Sequence, residues 1–328
     1  MRIGFIMDPL ESVHTEKDTT YVLMCEAFSR GYEVIYLPPS GISYRQNKVL
    51  FSGIHVEAHR NAEQPFQELQ RLRLCGEEFD AVLIRTDPPF NQDYLYVTLL
   101  ADQLPRNTFV MNDPEGIRDI NEKMGSLYFS DLIPRTTITQ SVEELQNFQE
   151  EVGGAIVLKP IDGHGGKGIV LIQKEDVNRK AVMSAMTKGG TQKVLGQEFL
   201  EATYHGDKRI ILLDGKPIGA MLRKAQPPNF INNLMAGGRA YPATITNEDR
   251  TICDRLRPFL QQRGLHLTGI DIIGGKLMEL NVTSPTCVQE IDRFDNVCLE
   301  KTIIDFVERK VEEKAKAANF KSQAPNLK

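Results

Sequence analysis

The chain has 328 residues, 41% hydrophobic and 25% charged, with a net charge of −5 at pH 7. Such a length and apolar share predict a sizeable core spread over two or three structural units. The acidic balance argues against broad binding to nucleic acid or to anionic membranes, and no stretch approaches the ~18 apolar residues of a membrane span.

The N-terminus, MRIGFIMDP, enters a strand pattern at once, without the long apolar segment of a signal peptide. Asp18 or Thr19 caps a helix to about Arg30, with Gly31 as its stop. YEVIYL is a second strand and DAVLIR, 80–85, a third, apolar in its middle as strands buried on both faces are. NTFVMN, 107–112, is a fourth, so residues 1–121 read as an open α/β layer. Ligand sites of such sheets lie in loops after the strands. MDPLE at 7–11 and RTDPPF at 85–90 are such loops. Arg85, at a strand end, suits a bidentate pair with a substrate carboxylate; the plainer alternative is a pair with Asp87.

Asp113 and Pro114 open the helix of DPEGIRDINEK, and Lys123 ends it near a boundary. Residues 135–139 form a strand, Ser141 and Glu144 a capping box for the next helix, and AIVLKP, 155–160, a buried strand with Lys159 near its end. DGHGGKG, 162–168, contains G-x-G-x-x-G, but IVLI follows, so the loop joins two strands and does not open a helix as a dinucleotide fingerprint must. Ile161 and Gly168 stand where a P-loop needs Gly and Ser or Thr. The loop is read as a hairpin flap whose bare amides close over phosphates; a mobile hairpin tip is the alternative. VLGQEFL, 194–200, is a strand running into a linker.

Asp214-Gly215 turns a hairpin of strands 208–213 and 216–223. Residues 225–238 are a long loop of Pro, Asn and Gly, a length that points to a lid, and Arg239 closes it. Asn247 caps a helix to about Arg263, stopped by Gly264. Then comes DIIGGKLMELNVTSPT, 271–286, two apolar runs around Gly274-Gly275. On the returning strand Met278, Leu280 and Val282 face one way and Glu279 and Asn281 the other. A carboxylate and an amide oxygen on one face suit a hard cation. A two-residue loop would put Asp271 opposite Met278; a three-residue loop or a bulge at the Gly pair brings it to the face of Glu279 and Asn281. The bulged form is expected; a hairpin with one solvated face remains the alternative. Five scattered cysteines (Cys25, Cys75, Cys253, Cys287, Cys298) form no C-x-x-C pair, which fits reduced thiols and a cytoplasmic protein. Cys287 reads as a buried bystander. The last helix spans about 298–317, with a frayed polar tail after it.

Taken together, MDP, RTDPPF, NEK at 121–123, LKPIDGHGG, DKR at 207–209, NLMAGGR at 233–239 and GIDIIGGKLMELNVTSPT resemble the bacterial glutathione synthetases of the ATP-grasp superfamily, over the chain to about residue 315. The resemblance implies an α/β fold, α+β toward the C-terminus: a Rossmann-like N-terminal domain at 1–121, ATP-grasp subdomains at 122–200 and 201–315, and a flexible tail at 316–328. It implies ATP-dependent joining of γ-glutamylcysteine to glycine through an acyl phosphate, giving glutathione, ADP and phosphate. Two Mg²⁺ (or Mn²⁺) ions would be held by Asp271, Glu279 and Asn281. ATP would meet Lys123, Lys159, the flap at Gly163, His164, Gly165 and Gly166, the linker Gln197, Glu198, Phe199 and Leu200, and Asp207 at the ribose. Arg85, Arg209, Arg223, Ser284 and Thr286 would contact substrate, with Arg209 and Arg239 at the reacting phosphate. A homo-oligomer, a tetramer, is implied too. One departure stands out: family members carry a Gly- and Arg-containing lid where this chain has PPNFINN at 227–233, with Ile231 in place of a cation. Two rival functions are another ATP-grasp ligase, such as a D-alanine–D-alanine ligase, and a non-catalytic ATP-binding sensor or scaffold. RTDPPF and NVTSPT weigh against the first, and intact Asp271, Glu279 and Asn281 against the second.

Overall fold

The N-terminal strand pattern becomes β1 (Arg2–Ile6), and α1 (Thr19–Ser29) follows, with the Asp18 side chain accepting from the Tyr21 amide. β2 (Glu33–Leu37) lies parallel to β1. The computed structural model, which describes residues 1–60 and 62–323, then shows three strands that the sequence did not announce: β3 (Ile42–Arg45), β4 (Lys48–Ala58) and β5 (Phe66–Cys75). They form an antiparallel meander on the far edge of the sheet. β6 (Ala81–Ile84), α2 (Gln92–Ala101), β7 (Phe109–Met111) and α3 (Pro114–Asp119) complete the layer, whose sheet order is β3-β4-β2-β1-β6-β7 with β5 on β4. The parallel middle places the loops after β1 and β6 side by side, and the Asp87 amide donates to Asp8 Oδ2 at 2.8 Å.

A four-stranded sheet follows, built from β8 (Thr136–Thr139), α4 (Val142–Val152), β9 (Ile156–Pro160), β10 (Val170–Ile172), α5 (Arg179–Met186) and β11 (Val194–Glu198) in strand order β10-β9-β11-β8. The cap of α4 differs from the expected box. Ser141 accepts from the Glu144 amide, but the Glu144 carboxylate takes the Thr139 hydroxyl instead of reaching back to Ser141.

The third sheet runs β14-β13-β12-β15-β16. Its elements are β12 (Asp207–Leu213), β13 (Lys216–Lys224), β14 (Arg239–Pro242), α6 (Asn247–Gln262), β15 (Leu267–Ile273) and β16 (Lys276–Asn281), followed by α7 (Val288–Asp295) and α8 (Leu299–Gln323). The cap of α6 is Thr246, one residue before the expected Asn247, because Asp249 reaches back to the Thr246 amide and closes a capping box there. α8 continues to Gln323, past the point at 316 where the tail was expected, and residues 324–328 lie outside the described residues.

Two apolar cores each draw on both the first and third sheets, whereas the second sheet packs on a core of its own around Leu145, Ile156, Leu158 and Met183. The buried Asn112 joins the first sheet to the third, donating to the carbonyls of Leu267 (2.7 Å) and Val282 (2.8 Å) while accepting from the Leu267 amide. Among the described residues no helix is long and apolar enough to cross a membrane.

Candidate active site

Where the three sheets meet lies a cleft of about 400 Å³. One wall is the hairpin of β15 and β16. Gly274 and Gly275 both have positive φ (54° and 75°), as a two-residue type I′ turn requires, and Ile272 pairs with Leu277. The register then shifts by one, and Asp271 pairs with Glu279. The bulge therefore exists, but its extra residue is Met278 and not part of the glycine turn. Leu277 and Leu280 take the core positions, and Met278, Glu279 and Asn281 all line the cleft. The strict alternation expected for Met278 fails for this reason.

Asp271 is buried and held by two guanidinium groups. Arg209 donates at 2.5 and 3.0 Å, and Arg223 Nη2 lies 2.9 Å away while its Nε donates to Asp207 at 2.5 Å. Burial opposes ionisation of Asp271, yet Arg209 and Arg223 outweigh it and keep its carboxyl well below the usual carboxylate range. Asn281 Nδ2 donates to the Gly269 carbonyl and to Asp271 Oδ2. Glu279 lies 3.2 Å from Lys123 Nζ. No group of three His, Cys, Asp or Glu side chains arranged for a metal occurs among the described residues. Two carboxylates and an amide nevertheless form an all-oxygen donor set that suits a hard divalent cation.

The opposite wall carries the two lysines. Lys123 also donates to the Gly163 carbonyl, and Lys159 donates to Gln197 Oε1 at 2.8 Å. Burial, offset in part by Glu279, lowers the Lys159 pKa to about 8. The flap joins β9 to β10 as a hairpin, with Gly165, Gly166 and Gly168 at positive φ. Its bare amides are fewer than expected, since those of Gly163 and Lys167 serve the turn itself.

Lid and linker complete the pocket. Asn232, 4% exposed, accepts from the Ala225 amide and donates to the Thr203 carbonyl, pinning the middle of the lid. Phe230 meets Phe199 edge to face, with centroids 6.1 Å apart, beside Val157, Leu195, Leu200 and Met278 in an apolar hollow. Hydrogen bonds of the linker amides at Glu198 and Phe199 go to the carbonyls of Arg135 and Ala155, and the Glu198 carboxylate pairs with Arg135. Asp207, expected at a ribose, is engaged by Arg223.

At the first sheet's loops, the buried Arg85 donates to Thr20 Oγ1 (3.1 Å) and to the Pro285 carbonyl (2.9 Å), not to Asp87. Ser284 and Thr286 line the cleft beside it. Nineteen of the twenty residues singled out from the sequence as site residues line this cleft; Arg239 does not. It stands exposed at the start of β14, opposite Lys224. Glu122 was missed. Its Oε1 accepts from the amides of Val282 and Thr283 and from the Thr283 hydroxyl, and its carbonyl accepts from the Leu280 amide. It thereby ties the Lys123 segment to the acidic strand. Its place inside NEK was the available signal.

Comparison with known proteins agrees with this geometry. The prokaryotic glutathione synthetase N-terminal domain matches residues 1–118, and the ATP-grasp domain of the same family matches 122–296. Glutathione synthetase of Synechocystis sp. is 39% identical over 94% of this chain and 99% of its own length. That of Thermosynechococcus vestitus is 40% identical over 93% and 98%, and that of Vibrio cholerae 33% over 95% and 98%. Among solved structures, D-cycloserine synthetase DcsG superposes with a TM-score of 0.65 at 14% identity, covering 95% of this chain and 99% of its own. The ATP-grasp ligase PsnB, complexed with minimal precursor, Mg and ADP, gives 0.60 at 18%, covering 94% and 98%. These two likenesses agree with the ATP-grasp domain that the family match places at 122–296.

Proposed function

The chain belongs to the prokaryotic glutathione synthetase family, and from that premise we propose how its cleft carries out ATP-dependent ligation of γ-glutamylcysteine and glycine. The reaction gives glutathione, ADP and phosphate. A carboxylate oxygen of the cysteinyl residue attacks the γ-phosphorus of ATP, and ADP departs. The glycine amine then attacks the carbonyl carbon of the acyl phosphate, the C–O bond to phosphate breaks, and phosphate leaves with the electron pair. No side-chain nucleophile takes part, so catalysis rests on positioning and charge neutralisation.

The observation that supports this reading best is the facing of Lys123 and Lys159 against Glu279, Asp271 and Asn281 across one cleft. Lys123 and Lys159 hold phosphate oxygens, with the flap at Gly163, His164, Gly165 and Gly166 above them. The hollow at Gln197, Glu198, Phe199 and Leu200 takes the adenine, and Asp207 lies toward the ribose. Asp271, Glu279 and Asn281 would hold Mg²⁺ or Mn²⁺, two ions, which when bound would supply positive charge against the phosphate charge that the lysines leave uncompensated. Arg209 and Arg223, oriented by Asp271, face the acyl phosphate, and Arg85, Ser284 and Thr286 receive the dipeptide. Residues 225–238 exclude water from the intermediate. Arg239 does not line this cleft and would enter it only if the lid rearranges.

The same reading divides the chain at 121/122 and 200/201. A cytoplasmic location fits the five free thiols. Assembly as a homo-oligomer, a tetramer, rests on family membership and is checked by light scattering of the purified protein. The central test measures phosphate release. γ-Glutamylcysteine with glycine should release phosphate and yield glutathione; release with D-alanine but not with that pair would overturn the assignment.

A further inference from the structure

The first turn of α7 brings into the cleft a carboxylate that the protein itself leaves incomplete. Glu290 is 7% exposed and lines the cavity, and its Oε2 is buried without a hydrogen-bond partner among the described residues. The nearest cation, Arg293, lies 3.9 Å from the other oxygen, beyond hydrogen-bond reach, and directs its Nη1 to the Glu16 carbonyl. Burial pushes the Glu290 carboxyl up. The turn is fixed in place, because the neighbouring Gln289 donates to the carbonyls of Thr15 (3.0 Å) and Asp18 (2.6 Å), in the loop that forms the facing wall. Lys17 and Asp18 of that loop line the same part of the cleft.

A buried carboxylate oxygen without a donor is costly and uncommon, and a ligand donor is the ordinary remedy at a binding cleft. The substrates narrow the choice. ATP itself carries no positive group, and the divalent cations that accompany it are assigned above to Asp271, Glu279 and Asn281. Glycine must present its amine unprotonated in order to attack, so a carboxylate that held it as an ammonium would work against the reaction. γ-Glutamylcysteine carries one fixed positive group, the α-ammonium of the glutamyl residue, at the end remote from the reacting carboxyl. We propose that Glu290 is the acceptor for this α-ammonium and so sets the preference for a γ-glutamyl substrate over other acyl-cysteines. The inference rests on the reaction proposed above. A purely structural role, as an acid favouring the N-terminal turn of α7, is the competing account.

The test is steady-state kinetics of the full chain with γ-glutamylcysteine and with N-glutarylcysteine, which lacks only the amino group, together with the variant Glu290→Gln. Wild type should prefer the dipeptide by about 100-fold in kcat/KM, the scale of a lost charged hydrogen bond in a built site. Glu290→Gln should raise KM for the dipeptide by about 30-fold or more, alter the glutaryl substrate's kcat/KM by less than about threefold, and leave KM for ATP unchanged. Equal losses on both substrates would mark a structural role and overturn the proposal. So would a wild type that fails to discriminate, a measurement that needs no variant. A wild type that makes no glutathione at all would instead sink the reaction on which the proposal stands.

Discussion

Asp271 pairs with Glu279 across the β15–β16 ladder, although the two-residue turn between them would by itself set Asp271 against Met278. One extra residue thus puts two carboxylates side by side, and their surroundings differ. Asp271 is enclosed by Arg209 and Arg223, whereas Glu279 is partly open and meets Lys123. Replacing Glu279 should therefore damage turnover and little else. Glu279→Ala is expected to lower kcat about 100-fold or more and to raise the concentration of divalent cation needed for half activity. Its unfolding free energy should stay within about 0.5 kcal/mol of wild type. A cation titration of the rate, with a urea melt, checks both halves.

Asp271 should behave the other way. Removing one member of a buried ion network leaves its partners buried and uncompensated, so Asp271→Asn is expected to cost about 3 kcal/mol of stability as well as activity. Arg209 and Arg223 hold the Asp271 carboxyl below its unfolded value. Its stabilising share is therefore fully present above about pH 4 and is lost as the pH falls toward the folded value. Urea unfolding at pH 7 and at about pH 2 should show wild type and variant converging in acid.

Lys159 supplies a pH limb in the opposite range. Burial brings its pKa to about 8, so the free enzyme loses this charge, proposed above to hold phosphate, as the pH rises through that value. kcat/KM for ATP should fall above it, while the corresponding limb in kcat moves upward because bound phosphate retains the proton. Lys159→Arg keeps its charge throughout and should remove the limb, whatever its effect on the absolute rate.

The lid rests on the flap through backbone that lacks side chains. A Cβ on Gly166 would stand 2.5 Å from Ile231 Cγ2, and Gly166 has φ of +80°. Gly166→Ala should both strain the flap and lift Ile231. Proteolysis within 225–238 is expected to slow when ATP and dipeptide are bound to wild type, and to slow much less in the variant. Equal cleavage rates for wild type with and without ligands would argue against a closing lid.

Much of this was legible because turns and caps are local chemistry. Asp18, Asp113 and Asp214-Gly215 act within a few residues of themselves, and the structure finds them where the sequence placed them. The meander of β3 to β5 was not legible. β5 lies at an edge with most of its side chains exposed, so FQELQRLRLC carries no one-sided apolar pattern. Met278 was misplaced because a bulge breaks the period of two, and nothing in KLMEL marks where. Glu290 could not be singled out, since its significance comes from the lack of a partner; Glu122 had its place inside NEK to mark it, but the partners that give it weight lie 160 residues away. Arg239 was included by resemblance alone and stands outside the cleft.

The way the cores are divided has a consequence for how the molecule comes apart. The first and third sheets share their apolar interior and should melt as one cooperative block, while the second sheet, with a small interior of its own, touches that block largely across the cleft. Without ligand it is the natural foldon to open first, at less than the global free energy. Nucleotide filling the cleft would supply contacts between the two blocks, and its binding free energy would appear as stability of that sheet in particular. In hydrogen exchange, slowing on addition of ATP should then be greatest in β9 and β11 and small in β1 and β6.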